Sequence, residues 1–191
     1  MMEAIILTDL FKGTQKEEVS AYYDLEHPSN DPNNWEQKRN GIWEKTNCNV
    51  AKMMHYWMTD RVREVVDDKR LLPSYFCIQF ADNVVATPSD VHIHDSSLPQ
   101  DYVVEYNHYT QNRWETQVNG EFYNIANETG LLYSGSQEHM AMSYNGGIAL
   151  RIKFYFSYPD NYFYIIGEHQ QSGKITVPSQ RDVNELKKDW F

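Results

Sequence analysis

Two histidines separated by one residue, His92 and His94, form the pattern in this chain that points most directly to chemistry. They lie in the stretch SDVHIHDSS, and Asp95 follows them immediately. On a β-strand, residues i and i+2 point to the same face, so both imidazoles could bind one metal ion. Further ligands would have to come from the strand-rich part of the chain. The suitable side chains there are Glu105, His108, Glu138, His139 and His169.

The alternative is that His92 and His94 lie on the solvent side of an edge strand that enters a turn. A His-x-His pair also occurs in cupins, but these expect a glutamate where this chain has Leu98, and glycines on both sides. The Asp-x-His-x-His of amidohydrolase-like barrels needs further βα units, whereas the residues after His94 alternate like antiparallel strands. The sequence therefore predicts no metal and no cofactor. If a metal binds, the candidate ligands are His92, His94 and Asp95.

Other signatures of catalysis are missing from the sequence. It contains no Gly-x-Ser-x-Gly nucleophile elbow, no Walker loop and no Gly-x-Gly-x-x-Gly fingerprint. The glycines of YNGGIAL precede a strand pattern instead of a helix, so they indicate a hairpin turn and not a phosphate-binding loop. These observations predict that the chain is not an enzyme.

Aromatic residues are concentrated in the strand region. In the strand pattern 102–110, Tyr102, Tyr106 and His108 share one face, and Tyr109 points to the other. Such residues could stack on sugars, or they could fill a core and a subunit interface, where tyrosine and tryptophan are enriched. The candidate interface or binding residues are Tyr102, Tyr106, Tyr109, Trp114, Trp190 and Phe191.

Length and charge limit the possible classes of protein. The 191 residues predict a single domain spanning 1–191. The net charge of −10, from 17 basic and 27 acidic residues, argues against tight binding of nucleic acid. No apolar run approaches the roughly 20 residues that span a bilayer. Only two cysteines are present, Cys48 and Cys77, which favours a reducing compartment such as the cytoplasm.

The hydrophobic periodicity changes once along the chain. Residues 1–72 are predicted to be mainly helical, with a loop at 26–37. Thr14 and Glu17 have the spacing of a capping box, which would begin a helix that runs through Leu25. A longer helix is predicted over 42–69, where apolar residues recur at intervals of three and four.

From Pro73 onward the apolar residues mostly alternate, so 73–178 is predicted to be β-rich and 179–191 to form a terminal helix. The strongest strand is 148–158, which is predicted to form a hairpin with 162–169 at the core of the sheet. Its apolar side chains from Ile148 to Tyr158 share one face, with Arg151, Lys153 and Ser157 on the other. The predicted fold class is α+β, with N-terminal helices packed on a mostly antiparallel sheet or barrel of about seven to nine strands and a short C-terminal helix.

The sequence states no function through a specific motif. Its asparagine- and tyrosine-rich composition indicates an AT-rich coding sequence, which is common in phages and some bacteria, and its acidic charge suits a channel that repels DNA. We therefore predict a non-enzymatic structural protein, a homo-oligomer in a virion such as a phage neck (head-tail connector) or tail protein, with protein partners and assembled in the cytoplasm. The alternatives are a carbohydrate- or ligand-binding β module that uses exposed Tyr and Trp, and a metal-dependent hydrolase that uses His92 and His94.

Overall fold

The computed structural model describes residues 2–22, 26–84, 101–143 and 146–158. Within these residues the chain forms ten strands and two α-helices, which confirms the predicted α+β class. In chain order the elements are β1 (Ile5–Leu7), α1 (Thr14–Ala21), β2 (Glu36–Arg39), β3 (Ile42–Lys45), α2 (Asn49–Val66), β4 (Leu72–Asp82), β5 (Tyr102–Thr110), β6 (Trp114–Val118), β7 (Glu121–Asn124), β8 (Thr129–Ser134), β9 (His139–Ser143) and β10 (Ile148–Ser157).

The strands form two antiparallel sheets. The main sheet has seven strands in the order β1-β8-β5-β10-β4-β3-β2, and the small sheet has three in the order β7-β6-β9. Strand β10 lies in the middle of the main sheet, with β5 along one edge and β4 along the other. Both edges of β10 are therefore occupied, so the prediction of a core hairpin with 162–169 is wrong for 148–157. Residues 162–169 themselves lie outside the described part of the chain.

The outer face of the main sheet is apolar and is covered by α2. The predicted alternation along β10 is confirmed here, because Leu150, Ile152, Phe154 and Phe156 belong to one buried cluster. The helix adds residues that are fully excluded from solvent, among them Met58. Apolar side chains at intervals of three and four on α2 meet alternate residues of the sheet, and removing both surfaces from water stabilises the pair.

The inner face of the main sheet is turned toward the small sheet. A second apolar cluster joins the two sheets, with Val103, Leu131 and Tyr133 from the main sheet and Val118 from the small one. Two facing antiparallel sheets with long connections between their strands form a jelly-roll architecture. A third cluster, which includes Ala81 and Ala149 of the main sheet and Trp114 of the small sheet, also joins the sheets. Buried charged residues, among them Arg151 and Glu105, project to the same face.

The helix predicted over 42–69 is shorter than expected, because the first residues of that range form a strand. Residues 36–45 form the β2–β3 hairpin, and α2 begins only at Asn49. Gly41 turns this hairpin with φ +75, and a Cβ built on it would lie 2.7 Å from the carbonyl oxygen of Asp82. The Asn40-Gly41 pair is therefore the turn signal, and it outweighs the helical spacing of the residues that follow.

Helix α1 also differs from its prediction. It begins after Gly13 with no side-chain cap, so the expected capping box of Thr14 and Glu17 is not formed. The helix ends at Ala21, because Tyr22 adopts an extended backbone with φ −76 and ψ 113. Leu25, the predicted last residue, lies outside the described residues.

The Thr129-Gly130 pair has the composition of a turn, but it begins strand β8. Glu128, with φ 61, turns the chain instead, and Gly130 pairs with Tyr106 inside the sheet. A Cβ on Gly130 would lie 2.8 Å from a methyl of Val104 and 2.9 Å from a methyl of Leu10. This glycine is therefore explained by close packing and not by a turn.

A β-bulge changes the face of one tyrosine. The register of β5 on β10 shifts between Leu150 and Arg151, so that Leu150 faces Tyr109 and Arg151 faces Asn107. Strict alternation predicts that Tyr109 and Tyr106 lie on opposite faces. Because of the bulge, Tyr109 instead packs against the same outer apolar cluster as Tyr106.

Two general expectations concern the membrane and the cysteines. No helix in the part of the chain that the structure describes is long and apolar enough to cross a membrane. Cys48 and Cys77 are both thiols and form no disulfide. Burial, the larger cause, together with the charge of Glu44 raises the pKa of Cys77, so its thiol stays protonated.

Candidate functional site

Five residues between the two sheets form a compact charged group, which we call the inner cluster. Lys153 lies directly opposite Glu105 in the pairing of β10 with β5, and Arg151 lies opposite Asn107. Thr116 completes the cluster from β6 of the small sheet. Directly opposite residues of an antiparallel pair project to the same face, so the strand register alone brings these side chains together.

Arg151 is only 3% exposed, and its guanidinium donates hydrogen bonds to three side chains. Its Nε donates to Oδ1 of Asn107 at 2.7 Å, and its Nη2 donates to Oε2 of Glu105 at 2.9 Å and to the Thr116 hydroxyl at 3.3 Å. The guanidinium lies over the ring of Trp114, 4.7 Å from its centroid. Its Nη1 has no hydrogen-bond partner among the described residues.

Glu105 is the acceptor at the centre of this network and is 1% exposed. Its Oε2 accepts from the Thr116 hydroxyl at 2.6 Å, and its Oε1 accepts from the Tyr133 hydroxyl at 2.9 Å. Lys153 Nζ lies 3.8 Å from Oε1. Burial alone would raise the pKa of Glu105, but the charges of Arg151 and Lys153 outweigh it, so this pKa lies well below its usual range.

The inner cluster therefore carries one positive charge in excess. Two cations, Arg151 and Lys153, face a single ionised carboxylate, Glu105. Arg151 and Glu105 neutralise each other, so the excess charge lies on Lys153 and attracts an anionic group. Lys153 is the charged member with access to solvent, since its side chain is 18% exposed.

His139, at the start of β9, lies next to this cluster. Its ring is 4.9 Å from that of Tyr133, whose hydroxyl donates to Glu105. Its Nδ1 lies 2.9 Å from the carbonyl oxygen of Gln137. Because a carbonyl can only accept, Nδ1 carries the proton in the neutral ring and Nε2 holds the lone pair that a metal ligand uses.

A polar cavity of about 470 Å³ lies at the β2–β4 side of the same sheet. Its lining includes Trp35, Glu36, Glu44 and Tyr75. Tyr75 stacks on Tyr155 with ring centroids 5.6 Å apart, and Tyr155 is two residues from Lys153 on the same face of β10. The cavity and the inner cluster thus lie along one continuous face of the main sheet.

The structure describes only some of the predicted metal ligands. His92, His94, Asp95 and His169 lie outside the described residues. Among the described residues, no group of three or more His, Cys, Asp and Glu side chains is placed to hold a metal ion. Of the further candidates, Glu105 and His139 are brought together, whereas Glu138 is exposed. His108 lies elsewhere, and it contacts the carbonyl oxygen of Tyr22.

The predicted interface aromatics are placed as follows. Tyr106 and Trp114 are 1% and 3% exposed, so both pack inside the protein. Tyr102 and Tyr109 are half-buried against the outer apolar cluster. Trp190 and Phe191 lie outside the described residues.

Sequence reasoning identified Arg151 and Lys153 only as the polar side of the strongest strand. It did not recognise that this side is also covered, in this case by the small sheet. The available signal was two basic residues alternating within an otherwise apolar central strand, together with Glu105 inside the apolar pattern of β5. A charged side chain in a central strand needs a buried partner of opposite charge. That requirement could have predicted that the strand with Glu105 is a neighbour of the strand with Arg151.

Comparison with known proteins identifies the fold. The sequence matches no protein-family model and no curated protein sequence. Solved structures with the same architecture include a 2OG-Fe(II) oxygenase family oxidoreductase from Burkholderia pseudomallei (TM-score 0.55, 8% identity, covering 81% of this chain and 84% of that one). A prolyl-4-hydroxylase from Pseudomonas putida matches with TM-score 0.54 and 12% identity, over 81% of this chain and 92% of that one.

A third similar structure is the non-heme alpha-ketoglutarate-dependent epimerase SnoN from nogalamycin biosynthesis. It matches with TM-score 0.56 and 7% identity, over 82% of this chain and 78% of that one. At these identities the likeness shows a shared fold, and the chemistry of this chain has to be argued from its own residues.

These likenesses overturn the prediction of a non-enzymatic virion protein, because the fold is that of oxygenases and related enzymes. The prediction that the chain is not an enzyme is wrong on the same finding. The acidic, asparagine-rich composition was misleading because it reports on overall charge and codon usage, neither of which depends on the buried polar face between the sheets.

Proposed function

We propose that this chain is an oxidoreductase that uses Fe(II) and a 2-oxo acid, with its active site between the two sheets at the inner cluster. The observation that carries the proposal is the excess positive charge of the inner cluster, where Arg151 and Lys153 face only Glu105, beside His139. An anionic co-substrate such as 2-oxoglutarate would neutralise that charge. The shared fold with 2OG-Fe(II) oxygenases supports the same assignment.

The residues of the chain suit an iron site in their chemistry. Non-heme Fe(II) enzymes hold the metal with two histidines and one carboxylate and leave positions open for other ligands. His139 has the required lone pair on Nε2. The second imidazole and the carboxylate would have to come from residues outside the described part of the chain, for which His92, His94 and Asp95 are the candidates. When bound, Fe(II) would supply the redox chemistry by which dioxygen, the oxidant, is reduced while the 2-oxo acid and a second substrate are oxidised.

The described residues would prepare the site for this co-substrate. The inner cluster would hold one carboxylate of the acid, while Trp114 and Tyr133 keep water from the buried ion pair. Charge-assisted hydrogen bonds are stronger in such a water-poor environment than at the surface. The neighbouring polar cavity has room for the second substrate.

We keep the cytoplasm as the proposed location, because both cysteines are thiols and Fe(II) persists in a reducing compartment. Assembly with copies of itself and with other proteins stays a prediction, as does the single domain.

The test is anaerobic titration of the metal-free protein with Fe(II), followed by titration of the iron-loaded protein with 2-oxoglutarate. We expect one bound Fe(II) per chain and binding of the acid. His139→Ala should weaken the affinity for iron by at least about tenfold. The matched control is His27→Ala, which removes a histidine that is 35% exposed and lies near Asp82, away from the inner cluster. Absence of stoichiometric iron, or equal affinity in both variants, would reject the proposal.

A further inference from the structure

A row of polar residues crosses the inner face of the main sheet and connects the polar cavity to the inner cluster. Glu36 of β2 lies opposite Glu44 of β3, and Glu44 lies opposite Gln79 of β4. Gln79 in turn lies opposite Arg151 of β10. Directly opposite residues of antiparallel strands project to the same face. The row therefore leads from the cavity, which Glu36 and Glu44 line, to Arg151.

Glu44 is the carboxylate of this row that forms no ion pair with any of the described residues. It is half-buried, and two neutral groups contact its carboxylate. These are the amide of Gln79, which donates from Nε2 to Oε1 at 3.4 Å, and the thiol of Cys77. Glu36 differs, because Nζ of Lys38 lies 2.7 Å from its Oε2. Glu36 is therefore neutralised by an ion pair, whereas Glu44 is not.

A second lysine that lines the cavity, Lys45, does not neutralise Glu44 either. The two residues are consecutive in β3, so their side chains project to opposite faces of the strand. Nζ of Lys45 lies over the ring of Trp35, 4.6 Å from its centroid. The inner side of β3 thus presents a negative charge to the cavity.

The cavity has the size and the lining of a site for a small organic cation. Its volume of about 470 Å³ is within the ordinary range of small-molecule sites. The carboxylate of Glu44 can accept charge-assisted hydrogen bonds from an ammonium or guanidinium group. Tyr75 lines the same cavity, and an aromatic ring also attracts a cation. Asn33, Asn34 and Asn47 offer amide groups to the uncharged part of a ligand.

We propose that this cavity binds the cationic end of the second substrate, and that Glu44 is the residue that recognises its ammonium or guanidinium group. Strand β4 separates β3 from β10, so two strand spacings place the backbone of Glu44 about 10 Å from that of Arg151. A substrate held at Glu44 extends toward the inner cluster with a part of its chain several bonds from the cation. The role in catalysis rests on the proposed function, whereas binding of the cation itself requires no iron.

The test uses pairs of probes that differ in charge but hardly in shape. Nα-acetyl-arginine amide carries a guanidinium, and Nα-acetyl-citrulline amide carries a neutral urea in its place. Nα-acetyl-lysine amide and Nα-acetyl-norleucine amide form the corresponding pair for an ammonium. In calorimetric titration of the whole chain, with and without Fe(II), we expect at least one cationic probe to bind about tenfold or more tightly than its neutral counterpart.

Two variants assign this preference to a residue. Glu44→Gln keeps the shape of the side chain but removes its charge, so the cationic probe should bind no more tightly than the neutral one. The matched control is Glu18→Gln, which removes the same charge from an exposed position of α1 and should retain the preference. Thermal unfolding of each variant shows whether the protein is folded before its affinities are compared.

The outcomes separate this inference from the proposed function. If wild type prefers neither cationic probe, the cation site is overturned, whatever the result with iron and 2-oxoglutarate. A preference that persists in folded Glu44→Gln overturns the role of Glu44. If the protein binds no iron but shows the Glu44-dependent preference, the proposed function falls, and the cation site stands without a role in that catalysis.

Discussion

The two faces of the main sheet are both buried, but they are stabilised in different ways. On the outer face, residues such as Ile152 and Phe154 pack against Met58 of α2, and burial of apolar surface is the main contribution. On the inner face, Arg151 and Glu105 are equally excluded from water, and ion pairing with directed hydrogen bonds offsets the cost of burying their charges. One strand, β10, supplies residues to both faces.

This difference shows where the protein can bind a ligand. Apolar contacts are non-directional, so a face stabilised mainly by such contacts is less suited to recognise a charged ligand. The inner face contains fixed charges and a guanidinium nitrogen without a partner among the described residues. Each of the following predictions changes a residue on one face. The resulting change in stability or affinity tests whether the two faces are stabilised in these different ways.

The largest effect is expected from Arg151→Met. Removal of the arginine leaves Glu105 buried without its main cation, which should lower the free energy of unfolding by about 3–5 kcal/mol in urea denaturation. The double variant Arg151→Met, Glu105→Leu removes both charges and should recover a large part of that loss. A single variant that loses less than about 1 kcal/mol would show that the inner face is not held by this ion pair.

Met58→Ala tests the outer face. The side chain is fully buried, so its loss should cost about 2–5 kcal/mol through lost burial and the remaining cavity. Because Met58 is far from any charge of the inner cluster, the affinity for 2-oxoglutarate should stay unchanged in calorimetric titration. A parallel loss of affinity would mean that the two faces are not independent.

Two buried threonines compare hydrogen bonds on the two sides. Thr116 donates to the ionised Glu105 at 2.6 Å, whereas Thr59 donates to the neutral carbonyl oxygen of His55 at 2.7 Å. Thr116→Val should lower the free energy of unfolding by about 1.5–3 kcal/mol, and Thr59→Val by about 0.5–1.5 kcal/mol. Equal losses in chemical denaturation would contradict an ionised Glu105.

The last prediction is a pH dependence of stability that originates on the outer side. Burial, only partly offset by a hydrogen bond to Tyr155, lowers the pKa of His55 to about 3. As pH falls below about 6.5, the unfolded chain binds a proton that the folded protein does not, so stability falls by about 1.4 kcal/mol per pH unit. His55→Gln should remove this slope between pH values of about 6 and 4, whereas His27→Gln should retain it.

Much of the fold follows from local patterns in the sequence. Strands β5 and β10 were predicted from alternation, as 102–110 and 148–158, because one face of each is strongly apolar. The β2–β3 hairpin was missed because its residues are mostly polar, and β8 was missed because Gly130 resembles a turn signal. The two errors therefore have different causes, a polar composition in the β2–β3 hairpin and a misleading glycine in β8.

The candidate site was harder to predict than the fold. Sequence spacing drew attention to His92 and His94, which are close in the chain, whereas Arg151 and Glu105 are 46 residues apart. Their pairing depends on the antiparallel register of β10 with β5, which a single sequence does not display. His139 was considered as a ligand, but only the folded chain places it beside Tyr133 and Glu105.

The most direct test of the central claim is a crystal structure of the protein with 2-oxoglutarate and Mn(II), used as a redox-inert replacement for Fe(II). We predict that the metal binds Nε2 of His139 and that the distal carboxylate of the acid lies in the inner cluster. A metal bound without His139, or an acid bound away from Lys153 and Arg151, would contradict the proposed active site.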